Sequence, residues 1–274
     1  MEKLDRLGWA AGFTFTSYGV RIGVRTNQPE ILERLAELLP PGCKPSASAT
    51  VERVYSLTVG GAGARPNLRR FNLLYGNFDR LARTMNLDEA LNKFESDLQL
   101  YVAERARRRV FIHGGVVGWR GQAIIIPGRS FSGKTTLVAE LVRAGATYYS
   151  DEYAVLDARG RVHPFPKPLG MRHDASARQT RSAAESLGGR TGIEPLPVGM
   201  VLISEYKAGA RWRPRQLSAG HGVLALLDNA VAARHRPESV LTALRQVVAR
   251  APVVKSKRGE AGELAGLLLQ QVNS

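Results

Sequence analysis

The chain lacks the features that mark several classes of protein. It has a single cysteine, Cys43, among 274 residues, which excludes an intramolecular disulfide and favours a reducing compartment. No apolar run approaches the roughly 18 residues of a membrane span, and the first residues, MEKLDRLGWAAG, are too polar for a secretory signal. Zinc-finger spacings, RNA-binding aromatic motifs, internal repeats and coiled-coil heptads are also missing. These absences predict a cytoplasmic protein with no membrane partner.

Acidic residues are also few compared with basic ones. Lysine and arginine total 39 against 24 acids, a formal charge of +15, whose field would attract phosphates, acidic peptides or nucleic acid. The basic clusters at Arg105–Arg109, Arg211–Arg215 and Lys255–Arg258 are short and scattered, so we interpret them as solvated surface. We therefore expect no nucleic-acid partner.

The order of predicted elements indicates an α/β protein with two parts. Hydrophobic residues make up 44% of the chain, enough for a sizeable core. A composition shift at RARRR separates an N-terminal α/β region, residues 1–104, from residues 105–274. The first part would serve substrate or partner docking. Residues 171–192, rich in Arg, Ser and Gly, are predicted as a mobile loop or weak helix, and a helix is predicted near 223–231.

A phosphate-binding loop follows the apolar strand AIIIP. GRSFSGKT matches G-x-x-x-x-G-K-[ST], and the helix TTLVAELVRAG follows it. In such loops the glycines let backbone N–H groups surround phosphate oxygens, the lysine reaches the β- and γ-phosphates, and the hydroxyl binds Mg²⁺. The predicted nucleotide-binding residues are Gly128, Arg129, Ser130, Phe131, Ser132, Gly133, Lys134, Thr135 and Thr136.

Two carboxylates, Asp151 and Glu152, come only one helix and one short strand after this loop. In motor ATPases the second acidic motif usually lies further along the chain and follows a more apolar strand than TYYS. The short spacing and the polar strand therefore favour a small kinase. One carboxylate would orient the metal held with Thr135, and the other would accept a proton from the attacking hydroxyl.

Residues 110–169, beginning VFIHGGVVGW, resemble the catalytic core of the HPr serine kinase/phosphorylases. They are still more similar to the shorter HPr-kinase-like proteins, which include lasso-peptide precursor kinases and share a P-loop core with ATP-dependent phosphoenolpyruvate carboxykinases. The resemblance implies a P-loop kinase core with a mixed sheet. It does not extend to the first hundred residues, and the HPr-binding signature is not evident.

The resemblance also assigns roles to individual residues. On its own, His113 would be read as a hydrogen-bonded core residue, although a ligand could approach the backbone at Gly114-Gly115 beside it. The resemblance implies instead that His113 is catalytic. Asp151 matches the family's first acid, and Glu152 stands where the bifunctional enzymes have a second Asp. Lys167 in PFPKPL matches a basic-proline turn near the active site.

These observations together predict a kinase that uses ATP and Mg²⁺. The acceptor would be a serine of a peptide or protein, and an acidic substrate would suit Lys167 and Arg172. The predicted catalytic residues are His113, Asp151, Glu152 and Lys134, and the predicted metal ligands are Thr135, Asp151 and Glu152. A kinase of a small-metabolite hydroxyl and a nucleotide-binding regulatory protein with little catalysis remain alternatives, and the sequence is compatible with a homo-oligomer.

Overall fold

The computed structural model describes Asp5 and residues 8–60, 71–128, 132–171 and 180–271. The chain divides into two compact units, Met1–Arg107 and Arg108–Ser274. Each unit combines helices with a sheet that has both parallel and antiparallel strands, so the predicted α/β class is confirmed. The boundary expected after residue 104 lies just before the end of a long helix that closes the first unit.

The first unit contains a six-stranded sheet in the order β3-β1-β2-β4-β5-β6. Its strands are β1 (Ala11–Ser17), β2 (Val20–Thr26), β3 (Lys44–Pro45), β4 (Arg53–Thr58), β5 (Asn72–Gly76) and β6 (Asp79–Thr84). A 3-10 turn at Pro29–Ile31 leads into α1 (Leu32–Glu37), and α2 (Leu87–Arg105) follows β6. The strand β6 has no counterpart in the sequence prediction, because none of its residues is fully buried and they lack an apolar alternation.

Local signals in the sequence explain two features of this unit. The turn between β1 and β2 consists of Tyr18 and Gly19, both with positive φ, which is the conformation that tight hairpins require. The side chain of Asn86 accepts a hydrogen bond from Asp88 N at 2.9 Å and so caps α2. Both features therefore follow from residue types that are close together in the sequence.

The second unit contains an eight-stranded sheet in the order β11-β10-β7-β8-β14-β16-β15, with β9 also paired to β7. Its strands are β7 (Val110–Trp119), β8 (Gln122–Pro127), β9 (Thr147–Ser150), β10 (Tyr153–Leu156), β11 (Val162–His163), β14 (Val198–Tyr206), β15 (Arg215–Gln216) and β16 (Val253–Arg258). The helices are α3 (Lys134–Arg143), α4 (Ala219–Leu227), α5 (Pro237–Val248) and α6 (Ala261–Gln271). Strands β8, β14 and β16 run parallel, and β7 and β10 alternate in direction beside them.

Both faces of the second sheet are covered by helices, which explains the unbroken apolar run in β8. Ile125 packs in the core beneath α4 and α5, whereas Ile124 and Ile126 pack in the core beneath α3 and α6. A strand buried on both faces reads as a continuous hydrophobic run rather than an alternating one.

The segment predicted as a mobile loop or weak helix is in part a strand. β12 (Leu169–Met171) pairs with β13 (Thr180–Ser182), and a 3-10 turn follows at Ala184–Leu187. Residues 172–179 lie outside the described part of the chain. Pairing with the strand that precedes it in the chain supplies hydrogen bonds that the composition of residues 171–192 does not reveal.

The helix expected at residues 223–231 begins earlier. Ser218 Oγ accepts from His221 N at 3.4 Å and caps α4, so the helix starts at Ala219 and ends at Leu227. Gly220 and Gly222 lower the intrinsic helix propensity of this segment, and the cap at Ser218 offsets that loss.

No helix within the described ranges is both long enough and apolar enough to cross a membrane.

Gly114 and Gly115, where the sequence suggested a close approach of ligand, are buried inside β7 instead. A Cβ atom at Gly115 would lie 2.4 Å from Val138 Cγ2 on α3, and one at Gly114 would lie 3.0 Å from the Ile126 carbonyl oxygen. The glycine at 115 therefore allows the helix after the phosphate loop to pack closely on the sheet.

We expect Gly115→Ala to lower the free energy of unfolding by about 1–3 kcal/mol, because the added methyl group overpacks the contact with α3. Denaturant unfolding measures this. Gly266→Ala is the matched control, since no atom lies within 4 Å of a Cβ there and the site is an exposed helical position. The control should gain about 0.5–1 kcal/mol. Equal stability of the two variants would contradict the packing role.

Candidate functional site

The predicted phosphate loop connects β8 to α3. Gly133 precedes α3 with φ +77°, a backbone conformation that favours glycine. A Cβ atom at Gly128 would lie 2.7 Å from Ser132 Oγ, so a larger residue there would displace that hydroxyl group. Arg129, Ser130 and Phe131 lie outside the described residues.

The loop is joined to the neighbouring strand through the backbone of His113. Gly128 N donates to the His113 carbonyl oxygen at 3.2 Å, because β7 and β8 are paired antiparallel at this point. Tyr153 is the partner of His113 on the other side, and their rings lie 4.8 Å apart. His113 is thus held between the first glycine of the loop and the strand that follows the acidic pair.

Lys134, Thr135 and Thr136 form the first turn of α3. Lys134 and Thr135 are half-buried, and Thr136 is exposed. The unpaired N–H groups at the start of a helix and its dipole favour an anion here. The first turn therefore presents one ammonium and two hydroxyl groups beside an anion-attracting helix end.

Asp151 lies beside this turn and is only 9% exposed. Its Oδ2 accepts from Thr135 Oγ1 at 3.3 Å and from Gly170 N at 3.2 Å. Burial raises the pKa of Asp151, and these hydrogen bonds reduce that rise. Glu152, by contrast, is exposed, so the two adjacent acids occupy different environments.

Tyr148 links Asp151 to the segment that contains Lys167. Its hydroxyl oxygen lies 3.0 Å from Asp151 Oδ1 and 2.6 Å from the Lys167 carbonyl oxygen. A phenol has one proton and cannot donate fully to both acceptors. When the phenol donates to the Lys167 carbonyl oxygen, which is the shorter contact, its oxygen can only accept a hydrogen bond from Asp151. Asp151 must then be protonated to donate that bond.

The charges of the site influence one another. Burial lowers the pKa of Lys134, and the carboxylates of Glu152 and Asp151 oppose that change. Burial and the positive charge of Lys134 lower the pKa of His113. His113 is therefore neutral near pH 7 and has the capacity to accept a proton.

The structure places most of the predicted site residues together. His113, Lys134, Thr135, Asp151 and Glu152 surround the start of α3, and the backbone of Lys167 is connected to Asp151 through Tyr148. Arg172 lies outside the described residues.

Arg258 is a residue that the sequence analysis missed. The sequence analysis interpreted it as part of a solvated cluster. In the structure it is only 3% exposed, and its Nη2 donates to the Gly133 carbonyl oxygen at 2.9 Å. Its guanidinium carbon lies 5.4 Å from the centre of the Tyr206 ring, and Tyr206 OH donates to Glu260 Oε1 at 2.9 Å. No local pattern announces this contact, because 125 residues separate its two partners.

The donor atoms here fit a magnesium ion. Thr135 Oγ1 and Asp151 Oδ2 are oxygen donors 3.3 Å apart. Mg²⁺ prefers oxygen and is commonly held by one or two carboxylates together with substrate phosphates and water. No group of three or more His, Cys, Asp or Glu side chains suited to a metal occurs in the described ranges, so an ion here would need those further ligands.

Comparisons with known proteins do not assign the chain to a family. No family model matches it, and no curated protein does. Among solved structures, the chain is similar to the HPr(Ser) kinase/phosphatase from Coxiella burnetii, with 10% sequence identity over 60% of this chain and 95% of that chain, at a TM-score of 0.33.

We expect Asp151→Asn to keep or raise the melting temperature. The amide oxygen can accept from Thr135 and Gly170, and the amide N–H can donate to Tyr148, so every partner of the carboxylate is kept. Because the pKa of Asp151 is raised on folding, its contribution to stability is complete at acid pH and is lost as pH rises through the folded-state pKa.

The advantage of Asp151→Asn should therefore be greatest at neutral pH and should shrink towards acid pH. Thermal melts of both proteins across this range measure it. A large loss of stability at neutral pH would show that the carboxylate charge itself stabilises the fold.

Proposed function

We propose that the chain is an ATP-dependent P-loop kinase of the HPr-kinase-like type, which transfers the γ-phosphoryl group to a serine hydroxyl of a peptide or protein. The observation that carries this proposal is the contact between Thr135 and Asp151 at the first turn of α3, 3.3 Å between oxygens. It joins the end of a glycine loop to a buried carboxylate one helix away. The proximity of Lys134 to His113 supports the same arrangement.

The nucleotide would bind with its phosphates at the start of α3. Lys134 would contact the β- and γ-phosphate oxygens, and the backbone N–H groups of the loop would hold the chain of phosphates. Thr135 and Asp151 would hold Mg²⁺, which neutralises charge on the phosphates. Arg258 would keep Gly133 in place through its bond to the carbonyl oxygen of that residue.

Asp151 and His113 would handle the proton of the acceptor. The serine O–H bond breaks as the new O–P bond forms, the bond from the γ-phosphorus to the ADP oxygen breaks, and the proton passes to the enzyme. Asp151 would accept that proton as the general base. The neutral imidazole of His113 would share or relay that proton.

Lys134→Ala tests the nucleotide site, and Asp151→Asn tests the catalytic carboxylate. Lys134→Ala removes a charge-assisted contact of about 1.5–3 kcal/mol and should weaken ATP·Mg²⁺ binding by about 10- to 100-fold. Asp151→Asn should lower transfer by about 10²-fold or more, as expected for loss of a general base. Calorimetry with ATP·Mg²⁺ and transfer of label from γ-labelled ATP to serine-containing peptides measure the two effects.

Lys93→Ala is the matched control for charge, because Lys93 is exposed on α2 in the other unit. It should bind and react like the wild type. Equal ATP affinity for Lys134→Ala and Lys93→Ala would overturn the assignment of the nucleotide site. Release of free phosphate with no labelled acceptor would favour a hydrolase or regulatory protein over a kinase.

His113→Ala should leave ATP affinity nearly unchanged and lower transfer by about tenfold or more, because the imidazole acts on the acceptor proton. His113→Gln keeps a polar side chain of similar length without a group that titrates near pH 7, and it should show the same loss. Melting temperature, ATP affinity and transfer are measured on one preparation of each protein. A lower melting temperature with an unchanged rate per folded molecule would make His113 a structural residue.

A further inference from the structure

A second basic feature lies at the ends of β14 and β16. The loop after β14 and the last residues of β16 enclose an open cavity of about 540 Å³. Its lining consists of Lys207, Ala208, Gly209, Ala210, Arg211, Arg213, Ser256 and Lys257. We call this the basic cavity.

The loop that forms the basic cavity is fixed to β16 by hydrogen bonds. Lys207 N donates to the Arg258 carbonyl oxygen at 2.9 Å, and Arg213 N donates to Ser256 Oγ at 3.0 Å. Between these anchors, Ala210 N donates to the Lys207 carbonyl oxygen at 3.0 Å and closes a turn. The backbone positions that carry the cationic side chains are therefore set by the fold.

The four cations of the basic cavity are Lys207, Arg211, Arg213 and Lys257, and no acidic side chain lines it. Across the part of the chain that the structure describes, none of these four side chains takes part in an ion pair or a side-chain hydrogen bond. The nearby carboxylate of Glu260 accepts instead from Tyr206 OH. Glu205 is the register partner of Lys257 but does not line the cavity. Cations gathered in a concave lining that holds no carboxylate raise the local positive potential and attract an anion.

We propose that the basic cavity docks an acidic segment of the polypeptide acceptor. This inference rests on the proposed kinase function and adds the class of peptide that the enzyme takes. Arginine forks match carboxylates in a two-bond geometry, and lysines add mobile point charges for further acidic side chains.

Two observations favour an acidic peptide over nucleic acid or a single phosphate. The lining contains no aromatic side chain on which a base could stack. No helix begins among the lining residues, although helix N-termini are the common holders of single phosphates. Separate side-chain cations around an open cavity suit several carboxylates along a chain.

The basic cavity is connected to the phosphate loop through one residue. Lys257 lines the cavity, and Arg258, next to it, donates to the Gly133 carbonyl oxygen before α3. The cavity and the glycine loop therefore lie at the same edge of the sheet, where β14 and β16 end. This placement supplies a reason for the cavity to affect the acceptor without touching the nucleotide.

The test is binding of a fluorescent hexaglutamate peptide to the full chain. Arg211→Glu combined with Arg213→Glu should weaken binding by about tenfold or more, since charge reversal turns attraction into repulsion. Arg234→Glu combined with Arg245→Glu is the matched control, because both arginines are exposed in the same unit and outside the cavity. The control should stay within about twofold of wild type, and both double variants should keep the ATP affinity.

Two competitors identify the ligand class. Inorganic phosphate should displace the peptide poorly, and a single-stranded oligonucleotide should bind more weakly than the peptide. Equal loss of peptide binding in the cavity variant and the control would overturn the proposal. If the oligonucleotide binds more tightly than the peptide and the cavity variant alone loses this binding, the ligand is nucleic acid and the proposal is overturned. If phosphate displaces the peptide efficiently, the ligand is a small anion and the proposal is likewise overturned.

The outcome is independent of the kinase assignment. Peptide binding is measured without ATP and is repeated with Lys134→Ala, which should bind the peptide like the wild type. Site-selective peptide binding without phosphoryl transfer to any acceptor would leave the basic cavity in place and remove the kinase function. Phosphoryl transfer that is as fast in the cavity variant as in the wild type would keep the kinase function and remove the basic cavity as its docking site.

Discussion

The buried carboxylate of Asp151 is the constraint on which the arrangement of the site depends. It accepts from the first turn of α3 and from the backbone of β12, and its Oδ1 lies 3.0 Å from the hydroxyl oxygen of Tyr148. A carboxylate that is only 9% exposed is costly unless donors surround it. Its hydrogen-bond partners come from separate elements. The hydrogen bonds that stabilise the carboxylate therefore also hold α3, β9 and β12 together.

Sheet direction then brings the remaining groups to the same edge. The parallel strands β8, β14 and β16 all end there, and in open α/β sheets ligands bind outside the carboxyl ends of such strands. β7 runs the opposite way, so its early residue His113 lies level with the end of β8. Thus the glycine loop, His113 and Arg258 converge without being close in the sequence.

The sequence was sufficient where the information is local. The hairpin at Tyr18-Gly19, the cap at Asn86 and the strand–loop–helix around the glycine motif each depend on residues close to one another. It was insufficient where a strand is defined by its pairing. β13 obtains its hydrogen bonds from β12, and residues 180–182 alone carry no signal for a strand. The placement of Asp151 next to Thr135 was foreseen from the short spacing, whereas Tyr148 as its partner was not, because TYYS does not show which tyrosine faces the acid.

The cluster KSKR shows why charge in a sequence is a poor guide to its location. Lys255 and Lys257 are exposed, but Arg258 is buried, although all three follow one another within a single strand. Alternation puts Arg258 on the same face as Val254, which packs against the core beneath α3 and α6. A buried guanidinium needs acceptors, and its Nη2 finds one in the Gly133 carbonyl, while stacking on Tyr206 covers its flat face. The cluster therefore contains one buried arginine that contacts the glycine loop and two lysines that face solvent on the opposite face of the strand. This division follows from the two-residue period of a strand rather than from the composition of the cluster.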